Sequence, residues 1–429
     1  MNLGMGSNSK SIIVSSPAIW QDVQGIVRSL DDADLLDRFV TTLAVAARAS
    51  PDGNVGLPLM LDPLSRRQVP KCIWEKTDCI WGRELMRVMA ARCLGRRAAH
   101  KAWKWAEESY DRTVASRYSG RAPVVYGMEH SSRITFSEQK KHGGMCALRQ
   151  INSHILDFVE VLQSESEAHF ALLSRYQREV AEGIDEMVAP RLGQIEDADL
   201  IIGNSRYVYE SFLREGVPEC KLAYVPTGCP PLSSIPARSG SGGSKLRFVY
   251  SGTLSVRKGI ARLLDAWAQA GLSGHAELHV FGVNEFGPSL LRDARGVNYH
   301  GQQSASRIRQ AIEETDVFVL PTLSEGRAHA VLEAVSAGLP VVTTRESGCT
   351  DVVKHLENGL LVRRADTKAL ENALLWCVEN RGKLPEMGAR SRCLAAGWPV
   401  WKARQAHLQI MMEYVEKGSL GSWRDSHLH

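Results

Sequence analysis

From residue 245 onward, apolar and polar positions fall into alternating blocks with two periods. KLRFVYSG (245–252) is a short apolar run stopped by Gly252. KGIARLLDAWAQAG (258–271) then spaces Ile260, Leu263, Leu264 and Trp267 as one face of a helix closed by Gly271. The alternation continues with AELHVFG (276–282) as a strand, PSLLRDAR (288–295) as a helix, VNYHG (297–301) as a strand and SASRIRQAIEET (304–315) as a helix. DVFVLP (316–321) is a strand, GRAHAVLEAVSAG (326–338) a helix and PVVTT (340–344) a strand. A further helix, the strand GLLVR (359–363) and the helix ADTKALENALLWCVEN (365–380) complete the series. Continuously apolar strands separated by helices predict a parallel sheet covered on both faces, a doubly wound α/β domain.

The first half follows the same pattern less regularly. SIIVSSP (11–17), DRFVTTLAV (37–45), APVVYG (122–127), MCALRQI (145–151), DADLIIGNS (197–205) and KLAYVPTG (221–228) are predicted strands, the last two separated by the helix RYVYESFLREG. PPLSSIPARSGSGGSK (230–245) is rich in Pro, Ser and Gly and nearly free of apolar residues, which marks a linker. The expected organisation is an N-terminal domain over 1–229, a linker over 230–245 and a C-terminal domain over 246–395. The amphipathic helix PVWKARQAHLQIMMEYVEKG lies in a final segment, 396–429, predicted to pack back across the domains. No repeat with a period of 20–50 residues is present, which removes solenoids and propellers.

Composition changes this picture little. At 429 residues, 44% hydrophobic and 23% charged, the chain is long enough for two ordinary globular domains. A formal charge of +4 does not point to nucleic acid. The nine cysteines show no C-x-x-C pair and no metal-site spacing, as expected of reduced structural thiols. No stretch of about 18 apolar residues occurs, and the first residues lack a basic segment followed by an apolar core. A cytoplasmic protein is expected, at most peripheral on the inner face of the cell membrane. One segment bears on that contact. Between Arg83 and Lys104, seven basic residues and the single acid Glu84 are interleaved with Leu85, Met86, Met89, Leu94 and Trp103. Such a helix can lie on anionic lipid, or it can pack on its own domain.

In open α/β sheets, ligands bind outside the carboxyl ends of the strands, where helix N-termini present free N–H groups. Two loops at that edge carry chemistry. SGTLSVRKG places Arg257 and Lys258 at a helix start, a pair suited to a diphosphate or, in the plainer reading, a solvated basic turn. In SEGRAHAVLEAVSAG, a helix starting near Gly326 would aim the amides of Gly326, Arg327 and Ala328 into the cleft, with Glu325 just before them and Glu333 eight positions on. Eight helical residues span about 12 Å. That exceeds the roughly 5–9.5 Å between the carboxylates of glycosidases. Each glutamate is therefore expected to serve its own hydroxyls on one elongated ligand.

Taken in order, SGTLSVRKG, SEGRAHAVLEAVSAGLPVVTT and ENGLLV (357–362), with DADLIIGNSRYVYESFLREGVPECKLAYVPTG before them, resemble the retaining, family-4-like (group 1) glycosyltransferases of the GT-B fold. The resemblance implies two Rossmann-like doubly wound domains facing across a cleft. It implies transfer of a sugar from a nucleotide-diphosphate-sugar donor to a glycan or lipid-linked acceptor hydroxyl, without a metal; no Asp-x-Asp occurs at the end of a predicted strand. Gly252, Arg257 and Lys258 would lie at the donor diphosphate, Glu333 at the ribose and Glu325 at the transferred sugar. The amides of Gly326, Arg327 and Ala328 would complete the phosphate and sugar contacts. An N-domain histidine at the sugar is assigned to His154, with His130 second. The sequence departs from the family at Thr253, where many members have Arg, at Arg327 and Ala328 in place of Phe-Gly, and at His329. It also has SSPAIW where members carry a glycine-rich loop. Two alternatives stay open: a degenerate protein that binds a nucleotide sugar or a partner without turnover, and a sugar-nucleotide epimerase on the same architecture.

Overall fold

The computed structural model describes residues 11–46, 67–82, 84, 86–87, 95–233, 245–291 and 294–418. Residues 234–244 of the expected linker, the tail 419–429, and positions 83, 85 and 88–94 of the basic segment lie outside the described residues.

The first sheet is built from β1 (Ile12–Ser15), β2 (Leu36–Thr41), β3 (Thr77–Cys79), β4 (Val124–Met128), β5 (Met145–Gln150), β6 (Leu200–Gly203) and β7 (Leu222–Tyr224). Its order is β3-β2-β1-β4-β5-β6-β7, with all neighbours parallel. Alternate strand residues feed opposite faces. Ile12, Val14, Val124 and Tyr126 pack under helix α1 (Gln21–Asp32). Ile13, Val125, Cys146 and Leu148 pack under α2 (Gly95–Tyr118), α3 (Arg133–Lys141) and the later α7. Helices α4 (Ile155–Ala168), α5 (Arg175–Glu182) and α6 (Val188–Asp197) fill the connection from β5 to β6, and α7 (Arg206–Arg214) joins β6 to β7.

The second sheet comprises β8 (Leu246–Ser251), β9 (Ala276–Phe281), β10 (Val297–Gly301), β11 (Val317–Leu320), β12 (Val341–Thr344) and β13 (Gly359–Val362). The order is β10-β9-β8-β11-β12-β13, again all parallel. Helices α8 (Ile260–Gln269), α9 (Ala305–Glu313), α10 (His329–Ala337), α11 (Thr367–Glu379) and α12 (Leu384–Gly397) cover it. Strand order reverses between β1 and β4 and between β8 and β11, so the loops leaving those strands border the crevices in which such sheets hold ligands.

Helix α13 (Val400–Lys417) returns to the N-terminal domain. Ile410 and Met411 are fully buried with Ala403 and Tyr414 in the core beneath α1, and burying each large side chain contributes about 2 kcal/mol. The crossing is pinned at Trp398, whose indole N–H donates to Pro226 O (2.9 Å) and whose carbonyl accepts from Cys229 N (2.8 Å). Other bonds close the domains on each other. Arg262 of α8 grips Glu165 of α4 at 2.8 and 3.0 Å, and Arg364 reaches Asp157 at 3.2 Å.

The structure departs from the sequence expectations at three places. Of the helix expected over 288–295, the described residues show a single tight turn, Pro288–Leu291, with 292–293 outside them and 294–296 not helical. The helix expected after PVVTT is another such turn, Arg345–Ser347, ended by Gly348 in the left-handed conformation (φ 68°). Helix α10 begins at His329, not Gly326, and the reason lies in the site.

Candidate active site

The loop after β8 and the loop after β11 are laced together. Arg257 O accepts Leu323 N (2.8 Å) and Thr322 Oγ1 (3.1 Å), and the Arg257 guanidinium donates to Ser324 O (3.0 Å). Gly259 makes this approach possible: its φ is 68°, and a Cβ there would lie 2.0 Å from Pro321 O. The turn Val256–Lys258 therefore delivers both cations to the β11 loop, and both side chains contact the carboxylate of Glu325. Glu325 is only 12% exposed and Lys258 15%. Burial alone would raise the Glu325 carboxyl, but Arg257 and Lys258 outweigh it and hold it below its usual range. The Lys258 ammonium moves down, pushed by burial and only partly restored by Glu325. Gly252 lies beside these cations: a Cβ there would be in van der Waals contact with the Lys258 side chain at 3.9 Å and with Tyr250 OH at 3.7 Å.

The three amides expected at the helix start are placed differently. Glu325 N donates to Glu346 O (2.9 Å) and Ala328 N to Ser347 O (2.8 Å), which keeps 325–328 out of the helix and delays α10 to His329. The Ala328 amide is therefore spent inside the domain, which corrects its assignment to a ligand. Gly326 abuts the N-terminal domain; a Cβ would lie 1.6 Å from Ile151 O and 2.7 Å from Asn204 Oδ1. Ser324 bonds Ser153 across the same seam (2.9 Å).

Arg327 turns away from any ligand. Its side chain is fully buried and donates to Thr227 O (2.6 Å), Gly348 O (2.9 Å) and both oxygens of Asp351 (2.6 and 2.8 Å). Burial opposes its charge, but Asp351 more than offsets that and keeps it protonated. Its side chain is thus a strut between the loop after β11 and the segment that leaves β7.

Glu333 lies on the outer face of α10, one turn after His329. Both line a small cavity of about 70 Å3 with Asp22 of α1 and Arg404 of α13. Burial raises the Glu333 carboxyl, moderated by Arg309. The sequence reading noted His329 only as unusual; the structure makes it the side chain of α10 that faces Asp22.

His154 does not fit a catalytic role. It is 2% exposed, caps α4 by accepting Leu156 N at Nδ1 (3.4 Å), donates its own N–H to Ser211 Oγ (2.9 Å) and stands edge-on to Phe212. Burial lowers it to about 4, so it is a neutral packing group. His130, the second choice, follows β4 with a positive φ of 80° and lines a cavity of about 300 Å3 over the carboxyl ends of the first sheet. Among the described residues no group of three or more His, Cys, Asp or Glu is arranged to hold a metal ion, and no helix is long and apolar enough to cross a membrane.

With this geometry in hand, comparison with known proteins is informative. Residues 245–380 match the family model of the glycosyl transferases group 1. Sucrose-phosphate synthase 4 of Arabidopsis thaliana is 42% identical over 84 residues, 19% of this chain and 8% of that protein. The amylovoran biosynthesis glycosyltransferase AmsK of Erwinia amylovora is 26% identical over 192 residues, 41% of this chain and 47% of that protein. The matched stretch therefore spans less than half the length of either curated relative. Among solved structures, Anabaena Alr3699/HepE in complex with UDP-glucose superposes with a TM-score of 0.57 at 14% identity, covering 94% of this chain and 99% of that one. The chain has the GT-B fold. Within that fold, the C-terminal domain carries the group 1 sequence match, and Arg257, Lys258, Glu325 and Glu333 all lie inside the matched residues.

Proposed function

We propose that this GT-B protein is a retaining glycosyltransferase that moves a sugar from a nucleotide-diphosphate donor to a hydroxyl of a glycan or lipid-linked acceptor. The observation that carries the reading is the convergence of Arg257 and Lys258 on Glu325 at the carboxyl edge of the second sheet, beside Gly252. Two cations in a partly desolvated site suit a diphosphate, and their charge stabilises it as it departs. Entry of the diphosphate displaces the Glu325 carboxylate from the cations toward the sugar hydroxyls, while Glu333 takes the ribose. In the transfer, the bond from the anomeric carbon to the phosphate oxygen breaks and the bond to the acceptor oxygen forms on the same face. The departing phosphate oxygen takes the acceptor proton. With Arg257 and Lys258 in place the reaction calls for no metal. The Alr3699/HepE structure was solved with UDP-glucose, which makes UDP the first nucleotide to try.

The test is calorimetric titration with UDP, GDP and ADP, beside an Arg257→Ala, Lys258→Ala double variant. Binding of one nucleotide that the variant loses supports the reading, and binding of none removes it. A second reading, a protein that binds without turnover, is favoured by the neutralisation of both cations by Glu325 and the seating of Gly326 against Ile151. Sugar release from any nucleotide sugar excludes it.

A further inference from the structure

The N-terminal domain holds two adjoining cavities. The first, about 300 Å3, lies over the carboxyl ends of β1 to β5, and the second, about 320 Å3, lies among α2, α3 and α6. Trp103, Glu107 and His130 line both and form the wall between them. Trp103 and Glu107 are four residues apart on α2 and so share one face of the helix, and the Trp103 ring stands edge-on to His130, with centroids 5.8 Å apart. His130 occupies a left-handed backbone conformation (φ 80°) that costs a residue with a Cβ about 1–2 kcal/mol. Strain of that kind persists where surrounding structure holds a group in place.

The charges around the first cavity are matched, with one exception. Glu84 is taken by Arg67 (2.6 Å) and Arg87 (2.6 and 2.7 Å). Glu129 is taken by Arg191 (3.2 Å), by the amides of Ile151 (3.2 Å) and Asn152 (3.0 Å), and by the Asn152 side chain (3.0 Å). Glu107 makes no hydrogen bond or ion pair among the described residues. Burial between the cavities pushes its carboxyl up to about 8, with Arg191 pulling the other way. Both arginines lining this cavity are bonded to Glu84, which is only 6% exposed, so an anion there would have to displace that carboxylate, whereas an uncharged ring need not. An indole face beside an unpaired carboxyl suits the apolar face and hydroxyl edge of a sugar ring. One wall residue of the cavity, Ile151, also meets the loop after β11, where its carbonyl packs against Gly326.

We infer that this cavity binds the acceptor as an uncharged saccharide ring laid on Trp103 and hydrogen-bonded by Glu107, and that it discriminates against sugars bearing phosphate or carboxylate. The inference rests on the transfer reading and adds the chemical class of the acceptor.

Saturation-transfer NMR on the full chain tests it, with the methyl glycosides of glucose, galactose, mannose, rhamnose and N-acetylglucosamine as probes against glucose 6-phosphate and methyl glucuronide. At least one uncharged glycoside is expected to bind about tenfold or more tighter than either anion. Trp103→Ala weakens that glycoside about tenfold, a loss of the size that aromatic contacts supply, and Trp103→Phe restores part of it. Glu107→Gln keeps binding within about threefold, whereas Glu107→Lys loses the glycoside and gains the anions. Nucleotide titration of each variant reports folding and keeps the two readings separable. If no nucleotide binds the wild type, the transfer reading fails. If a nucleotide binds but no glycoside does, or the anions bind as well as the glycosides, the acceptor inference alone is overturned.

Discussion

Glu325→Gln should tighten the binding of a free nucleoside diphosphate while abolishing most transfer. In the structure the carboxylate neutralises the two cations that would hold the diphosphate, and all three side chains are substantially buried, at 12%, 29% and 15% exposure for Glu325, Arg257 and Lys258. A carboxylate about 6 Å from a phosphate charge, at an effective dielectric near 20, repels it by about 3 kcal/mol. Solvent at the rim and added salt reduce this to about 1–2 kcal/mol, which is about 5- to 30-fold in affinity. Removing the charge has an opposite effect on the empty protein. Arg257 and Lys258 then face each other without a counter-ion, a loss of about 1–3 kcal/mol after allowance for their exposure and for the hydrogen bonds that Gln can keep.

Calorimetric titration at two ionic strengths measures the first effect, and thermal unfolding with and without nucleotide measures the second. The variant should melt lower when empty and gain more from nucleotide than the wild type does. Glu325→Asp, which keeps the charge, should not tighten binding. The cations hold the Glu325 carboxyl below its ordinary value, so its contribution is complete above the unfolded carboxylate pKa and lost only as pH falls through the lower folded value. Where the terminal phosphate is also fully ionised, between about pH 7 and 8, the tightening should therefore be flat. Equal or weaker nucleotide binding by Glu325→Gln would refute the claim that this carboxylate occupies the diphosphate subsite.

Three further outcomes are expected. Glu333→Ala should weaken nucleotide binding about five- to tenfold, the size of one or two lost hydrogen bonds, with little change in melting temperature because Glu333 has no hydrogen-bond partner of its own among the described residues; an unchanged titration would detach Glu333 from the ribose. Asp351→Ala should cost about 2–4 kcal/mol by stranding the buried Arg327, and Arg327→Met combined with Asp351→Ala should be the more stable of the two. The reverse order in denaturant midpoints would show that Arg327 is not a buried charge held by Asp351. His407, buried against Tyr126 (2.7 Å), and His154 are lowered to about 3 and 4, so the unfolded chain binds their protons first. Stability is then complete above about pH 6.5 and falls as pH drops toward those folded values, by about 2 kcal/mol per histidine at pH 5; a melting temperature constant from pH 7 to 5 would contradict this.

The central strands β8 and β11 were legible because each is a mainly apolar run between helical blocks, as the interior strands of a parallel sheet must be. The edge strand β3 was not: Thr77–Cys79 is half-buried and polar, so it carries no periodic signal. Residues 145–228 supplied their strands but not the three helices α4 to α6. The motif residues were located by their spacing and their environment was not, because the partners that define it come from distant segments. Glu325 is bonded by cations 67 and 68 positions earlier, and Arg327 by Thr227, 100 positions away. His154 illustrates the opposite error. A histidine after a strand reads as catalytic, but the next residue starts α4, and a residue in that place is needed to cap it. Trp103 and Glu107 did leave a signal, four residues apart on one helix face, but Trp103 was read only as one apolar position of the basic segment 83–104, and Glu107 lay just beyond it.

The departures at Arg327 to His329 bear on how the cleft works. An aromatic side chain at 327 would pack by shape alone, whereas Arg327 ties the donor loop to Thr227, just after the last strand of the other domain. Gly326, meanwhile, lets the same loop meet Ile151 with no side chain between them. Ser324 and Ser153 add a third tether. The loop that presents Glu325 to Arg257 and Lys258 is thus held from both domains at once, so the donor geometry depends on interdomain contact and on the C-terminal domain together. By linkage, a ligand that binds more tightly when these contacts are made must strengthen them by the same factor. An acceptor in the cavity walled by Ile151 touches the residue against which Gly326 rests. The proposed acceptor and donor sites thus adjoin at the Gly326–Ile151 contact, one of three tethers at this seam and the one that requires residue 326 to have no side chain.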